Sequence, residues 1–257
     1  MRFLSSSLII ALSLSPLVAC GVDKASANGE MGNISFGLVS DYYLDEKDLT
    51  EAPIVTGYDQ SISTQLTEAG AAAAGGNDDE IEYRVVGKTD VEIDDSGAEN
   101  DKDQGDIHSF GILGNEEGEV TVEATLKGEV FDRIKFSFQR PTDLELVMFA
   151  RAPYEEGFAA ITESETTQLE EGTQLAWLSI PTVKGDRLLG NIVAEMTAVP
   201  AENVVPAANV EHVNEEAAQS IFRADSLYFI SAGSVSVNLT DAENEVSQAA
   251  EFEIVGQ

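Results

Sequence analysis

The chain has 257 residues, a formal net charge of −33, 43% apolar residues and a single cysteine. Such acidity excludes nucleic acid as a natural partner and opposes contact with anionic lipid, while the apolar content is that of a globular chain and excludes general disorder. One cysteine excludes an internal disulfide, so each domain must be held by its core, which domains of roughly 110 residues can do.

The amino terminus has the anatomy of an export signal. Arg2 is a short positive region, and Leu8-Ile9-Ile10-Ala11-Leu12 with Leu14 forms an apolar stretch of secretory length. Ser5, Ser6, Ser7, Ser13, Ser15 and Pro16 interrupt it, leaving it short of the about 20 apolar residues a bilayer span needs. It ends in Leu17-Val18-Ala19-Cys20, followed by Gly21. Signal, box and cysteine together resemble the start of a bacterial lipoprotein. The resemblance implies cleavage before Cys20, a diacylglyceryl group on its thiol and an acylated amino terminus. Two or more chains hold a protein to a membrane where one does so only marginally. Residues 1–19 are then the signal peptide. The absence of aspartate after Cys20 implies delivery to the outer membrane. The rival reading is an ordinary signal peptide with an incidental cysteine.

Residues 20–32, polar and glycine-containing, are expected to be a lipid-anchored tether, its twelve residues after Cys20 spanning about 20 Å r.m.s. if flexible. From Ile34 the pattern has a period of two, with Ile34, Phe36 and Leu38 on one face. Residues 53–67 form a second β-like stretch, with Gly57 as a bulge. The run AGAAAAGG at 69–76 is too short and glycine-flanked for a free-standing helix and is expected to be a loop with at most one turn. Strands are expected at 81–86 and around Val91 and Ile93, followed by an acidic loop over 94–106, after which Ile107, Phe110, Ile112 and Leu113 resume apolar content. Further alternating strands cover 118–124 and 131–139, where Ile134, Phe136 and Phe138 share a face.

Arg140-Pro141-Thr142 marks a boundary, because proline confines its neighbour to extended conformations. Beyond it come alternating Leu144, Leu146 and Met148, a strongly apolar strand over 173–180, weaker strands over 187–193 and 204–213, and strands at 226–230, 233–240 and 249–255. Residues 217–222 allow one helical turn. Trp177, among Leu175, Leu178 and Ile180, is expected in a core.

The two halves echo one another. Gly118-x-Val120-x-Val122 matches Gly233-x-Val235-x-Val237 at an offset of 115, kept by Thr125 and Thr240 and by Gly57 and Gly172. After one inserted residue, Phe136 and Phe138 match Phe252 and Ile254. These closing strands, with Gly172-Thr173-Gln174-Leu175-Ala176-Trp177 as an early strand, resemble bacterial Ig-like domains. The resemblance implies an all-β chain of two antiparallel Ig-like β-sandwiches in tandem, over 33–140 and 141–257. Short alternating strands broken by turns favour the same class independently.

No metalloprotease, nucleophile-elbow, phosphate-loop or dinucleotide motif is present. His108 and His212 form no motif, and Asp106-x-His108 lacks the partner ligands a metal needs. No pair among 47 Asp and Glu residues stands out as a glycosidase pair. Asp101, Asp103 and Asp106, with Gly105 between, offer the hard oxygens calcium takes, but the EF-hand pattern fails; a solvated acidic loop is the competing reading. The expectation is a non-enzymatic, lipid-anchored envelope protein with a structural, adhesive or binding role, without a cofactor unless calcium, and with an envelope protein or glycan as partner. The alternatives are a calcium- or carbohydrate-binding module and a carboxylate-dependent hydrolase.

Overall fold

A computed structural model describes residues 25–38, 47–76, 80–87, 90–94, 107–153, 158–161, 167–206 and 227–256. The first half contains β1 (Ala25–Asn28), β2 (Ile34–Leu38), β3 (Lys47–Asp48), β4 (Ile54–Val55), β5 (Asp59–Leu66), α1 (Glu68–Ala74), β6 (Ile81–Val86), β7 (Val91–Asp94), β8 (Ile107–Gly114), β9 (Gly118–Leu126) and β10 (Glu129–Gln139). The second contains β11 (Asp143–Arg151), β12 (Ala159–Ile161), β13 (Thr167–Glu170), β14 (Gln174–Val183), β15 (Asp186–Arg187), β16 (Glu195–Val199), β17 (Val204–Pro206), β18 (Leu227–Phe229), β19 (Gly233–Asp241) and β20 (Val246–Val255).

Each half is a sandwich of two sheets. In the first, the sheet β3-β1-β2-β5-β8-β7 faces β4-β10-β9-β6. In the second, β12-β11-β14-β18-β17 faces β13-β20-β19-β16. Strands β2, β5, β8 and β7 take the places of A, B, E and D of an Ig-like sandwich, as do β11, β14, β18 and β17. The opposite sheets begin with a short strand lying parallel to the last one, β4 on β10 and β13 on β20. The chain is thus all-β, with Ig-like sandwiches in tandem. Alternation builds both cores: Phe36, Phe110, Ile134 and Phe136 fill the first, and Leu175, Phe229, Val237 and Phe252 the second.

The offset of 115 has a structural counterpart. Gly57 and Gly172 both sit at positive φ, +84° and +92°, a conformation costly for any residue with a Cβ. The Gly57 amide donates to Gly114 O, and the Gly172 amide to Phe229 O, both at 2.9 Å. The inserted residue is also accounted for. The β9–β10 turn has two residues, Lys127 and Gly128, and β10 carries a bulge between Val130 and Asp132. The β19–β20 turn has four residues and its ladder runs without a register shift. Two extra turn residues less one bulge residue leave an offset of 116.

Three expectations are corrected. Residues 25–28, expected in the tether, pair with β2 on one side and β3 on the other, and Ala25 is buried. Ala-Ser-Ala-Asn carries little apolar signal; ladder hydrogen bonds place it. The alanine run is a short helix rather than a loop, because both ends are capped. Thr67 Oγ1 accepts from the Gly70 amide, and Gly75 closes the helix in the left-handed region. Strand β16 was not anticipated: Glu195-Met196-Thr197-Ala198-Val199 is only half-buried along one side. The weak strand at 187–193 shortens to β15 followed by irregular chain.

A buried carboxylate organises the outer end of the first sandwich. Asp132, fully buried at the bulge of β10, accepts from the amides of Met31, Asn33, Ile34 and Arg133 at 2.8–2.9 Å. The β1–β2 turn is wrapped around it. Thr67 Oγ1 in turn donates to Gly32 O, so the helix cap is tied to the same turn.

Candidate functional site at the junction of the sandwiches

Only Arg140-Pro141-Thr142 separates β10 from β11, and the halves meet through a set of specific backbone, apolar and polar contacts. Ile54 in β4 is flanked on its free side by Leu189, which follows β15, in a parallel bridge. The Val55 amide donates to Leu189 O at 2.9 Å and the Leu189 amide to Pro53 O at 2.8 Å. The second half thereby covers a sheet edge of the first, the kind of edge that otherwise invites pairing. Val55, Val183 and Leu188 form a small apolar cluster with Ile192 against it. Ile180 and Leu189 reach into the first core itself.

Polar groups complete the seam. Gln60, fully buried, donates through Nε2 to Asn191 O at 2.8 Å and accepts at Oε1 from the Asn191 amide at 2.7 Å. This reciprocal amide pair requires glycine next door. Gly190 has φ of +95°, and a Cβ there would lie 2.5 Å from Gln60 Oε1. Asp241, fully buried at the end of β19, accepts from the Tyr58 hydroxyl, from the amides of Glu243 and Asn244 at 3.1 Å each, and from Asn244 Nδ2 at 2.9 Å. Tyr58 also donates to Val193 O at 3.2 Å. Thr56 Oγ1 donates to Asn244 Oδ1, and Arg140 Nη2 to Glu243 O.

Burial, together with the hydrogen bond and charge of Asp241, raises the Tyr58 phenol above its ordinary value of 10.0. The folded value exceeds the unfolded one. The stabilisation is therefore complete below about pH 10 and is lost as pH rises through the folded value. Thermal melts at pH 8 and pH 11 should show a larger alkaline loss for the native chain than for Tyr58→Phe. Equal losses would place the alkaline effect elsewhere.

Beside the seam lies a cleft of about 530 Å³. Ala52, Pro53, Val183 and Leu188 line it with apolar surface, and Asp48, Glu51, Asp186, Lys184 and Arg187 supply its charges. Arg187 is braced by Glu145 in a two-point pair, with Nε to Oε2 at 2.6 Å. The hydrogen bond from Arg187 holds the Glu145 carboxyl below its usual range. The size and position at a domain junction suit a small-ligand cleft.

Of the residues singled out in sequence, Cys20, Asp101, Asp103, Asp106 and His212 lie outside the described residues, as do 217–222. His108 stands on β8 opposite Thr64 of β5. Trp177 packs half-buried against the second core, as expected. Among the described residues no group of three or more His, Cys, Asp or Glu is placed to hold a metal, and no helix is long and apolar enough to cross a membrane. The seam residues were not singled out, although a signal existed. Gln60 and Asp241 both occupy the inward phase of an alternating strand, where Ile62, and Val235, Val237 and Leu239, are buried.

No family model matches the chain, and no curated protein matches it. Solved structures similar to it include FdeC, an adhesin of Escherichia coli, at 12% identity over 90% of this chain and 66% of that one, with a TM-score of 0.30. Invasin, a bacterial integrin-binding protein, matches at 12% identity over 88% of this chain and 39% of its own, with a TM-score of 0.32. Domains 5–6 of the S-layer protein SbsC match at 9% identity over 81% and 94%, with a TM-score of 0.28. The chain spans 66% of the FdeC chain and 39% of invasin.

Proposed function

We propose that this chain is a lipid-anchored envelope protein whose role is structural or adhesive and not enzymatic: two Ig-like sandwiches locked end to end into one stiff unit and held to a membrane by Cys20. The seam is the observation that carries this reading. Two domains on a three-residue linker move relative to one another by default unless their interface is large and apolar. Here buried polar pairs, a shared sheet edge and a joint apolar cluster oppose that motion. Rigid coupling suits a part that must present a surface in a fixed direction.

The lipobox at 17–20 supplies the attachment, and outer-membrane delivery follows from Gly21 in place of aspartate. A folded chain carrying formal charge −33 has no electrostatic reason to approach an anionic membrane, so covalent acyl chains are what would keep it there.

Palmitate labelling with membrane fractionation tests the anchor. The native chain should be labelled and sediment with membranes, and Cys20→Ala should be unlabelled and soluble. An unlabelled native chain recovered in the soluble fraction would overturn the proposal.

A further inference from the structure

We infer that the membrane-facing surface is the flank of the waist, where the junction cleft opens, and that the bilayer is its partner; this rests on the reading that Cys20 carries the lipid. A tandem sandwich whose anchored terminus met the fold at its outer end would stand on its first domain. This chain enters its fold differently. Strand β1 runs from Ala25 toward the outer turn at 29–33, so Ala25 lies at the end of β1 nearer the seam.

The register fixes the height of entry. Ala25 pairs with Leu38, and Leu38 pairs with Ile62. Ile62 lies three residues from Asp59, where β5 leaves the seam, a rise of about 10 Å at 3.3 Å per residue. On its other side Ala25 pairs with Lys47 and Ser26 with Asp48, and Asp48 lines the cleft. Four residues separate Cys20 from Ala25. Fully extended, the five steps reach at most about 18 Å. The acyl chains therefore hold the cleft flank near the headgroups, while the outer turn at 127–128 and the far end at 231–233 project away along the bilayer.

Charge supports the same face. Three carboxylates and two cations line the cleft, against 47 and 14 over the chain. With Glu145 on Arg187 counted, this flank carries four carboxylates to two cations, a smaller acidic excess than that of the whole chain, which lessens its repulsion from headgroups.

The test uses residues 20–257, which contain every described strand, coupled through the chain's single cysteine to a maleimide lipid in phosphatidylcholine nanodiscs bearing gadolinium-chelate headgroups. Chemical coupling makes the result independent of whether a cell acylates Cys20, which the palmitate experiment decides. Amide relaxation enhancement at 48–52 and 184–188 should be at least threefold that at 127–128 and 231–233. Largest enhancement at 127–128, or uniform enhancement, would overturn the inference. Inserting twenty Gly and Ser residues between Cys20 and Ala25 should bring the ratio close to one; a ratio that stays at threefold would assign the orientation to lipid binding by the flank itself and sink the tether argument.

Discussion

Asp132→Ala should lower the melting temperature by about 10 °C, the largest loss expected from one side chain in the first sandwich. Removing the carboxylate leaves the amides of Met31, Asn33, Ile34 and Arg133 without their acceptor. The side chain is fully buried, so water does not replace it freely. An unsatisfied buried donor costs about 1–3 kcal/mol, and because the turn relaxes the four costs do not add. A total of about 3–5 kcal/mol follows if roughly two of the four donors stay unsatisfied. The damage spreads along identifiable bonds. The turn at 29–33 that joins β1 to β2 loosens, and Thr67 loses the ordered Gly32 carbonyl that fixes the helix cap. Asp132→Asn keeps one acceptor oxygen but points an amide donor at other donors, so it should lose roughly half as much. Thermal denaturation with hydrogen exchange on residues 25–34 checks both; a loss under 1 kcal/mol for Asp132→Ala would show that the turn holds without it.

Much of the fold was legible because alternation with a period of two survives in both cores. The paired positions Val120 and Val235, or Phe136 and Phe252, are buried because an Ig-like sandwich needs inward residues there. What escaped was placed by hydrogen bonds rather than by apolar phase. Strand β1 has alanines where a core strand would have valines, and its neighbours decide its conformation. Helix α1 depends on Thr67 and Gly75 more than on its alanines. The seam was hidden for a related reason. Gln60, Asn191 and Asp241 are ordinary surface residues by type, and their partners lie 131 and 183 residues away. A reader attending to polar residues on the inward phase of a strand would have found Gln60 and Asp241 but not what they bind. The carboxylates at 101, 103 and 106 were conspicuous by type and lie outside the described residues.

Asp241→Ala should convert one cooperative unfolding transition into two. Its carboxylate serves two structures. It closes the β19–β20 turn through the amides of Glu243 and Asn244, and it crosses the seam to the Tyr58 hydroxyl. Loss of the first function destabilises the second sandwich, and loss of the second uncouples it from the first. The combined cost should be about 3–5 kcal/mol, from the donors of Tyr58, Glu243 and Asn244 left without their acceptor. Tyr58→Phe separates the parts. It removes only the seam bond and should cost about 1–2 kcal/mol, and it leaves the turn intact. In the double variant the two losses should fall short of additivity by about 1 kcal/mol, since both remove one shared bond. Gln60→Ala should act in the same direction through Asn191 without touching the turn. Calorimetry reads the number of transitions, and small-angle scattering reads the interdomain geometry. If Asp241→Ala merely lowers one transition, Tyr58→Phe is silent and scattering is unchanged, the sandwiches are coupled by the apolar cluster and the shared sheet edge, and the polar side chains of the seam are incidental. If the transitions split and the scattering envelope broadens, stiffness resides in Tyr58, Gln60, Asn191 and Asp241. The direction in which the chain presents its second sandwich would then be set by the side chains of Tyr58, Gln60 and Asp241 and the backbone amide and carbonyl of Asn191, which a surface-minded reading of the sequence passes over.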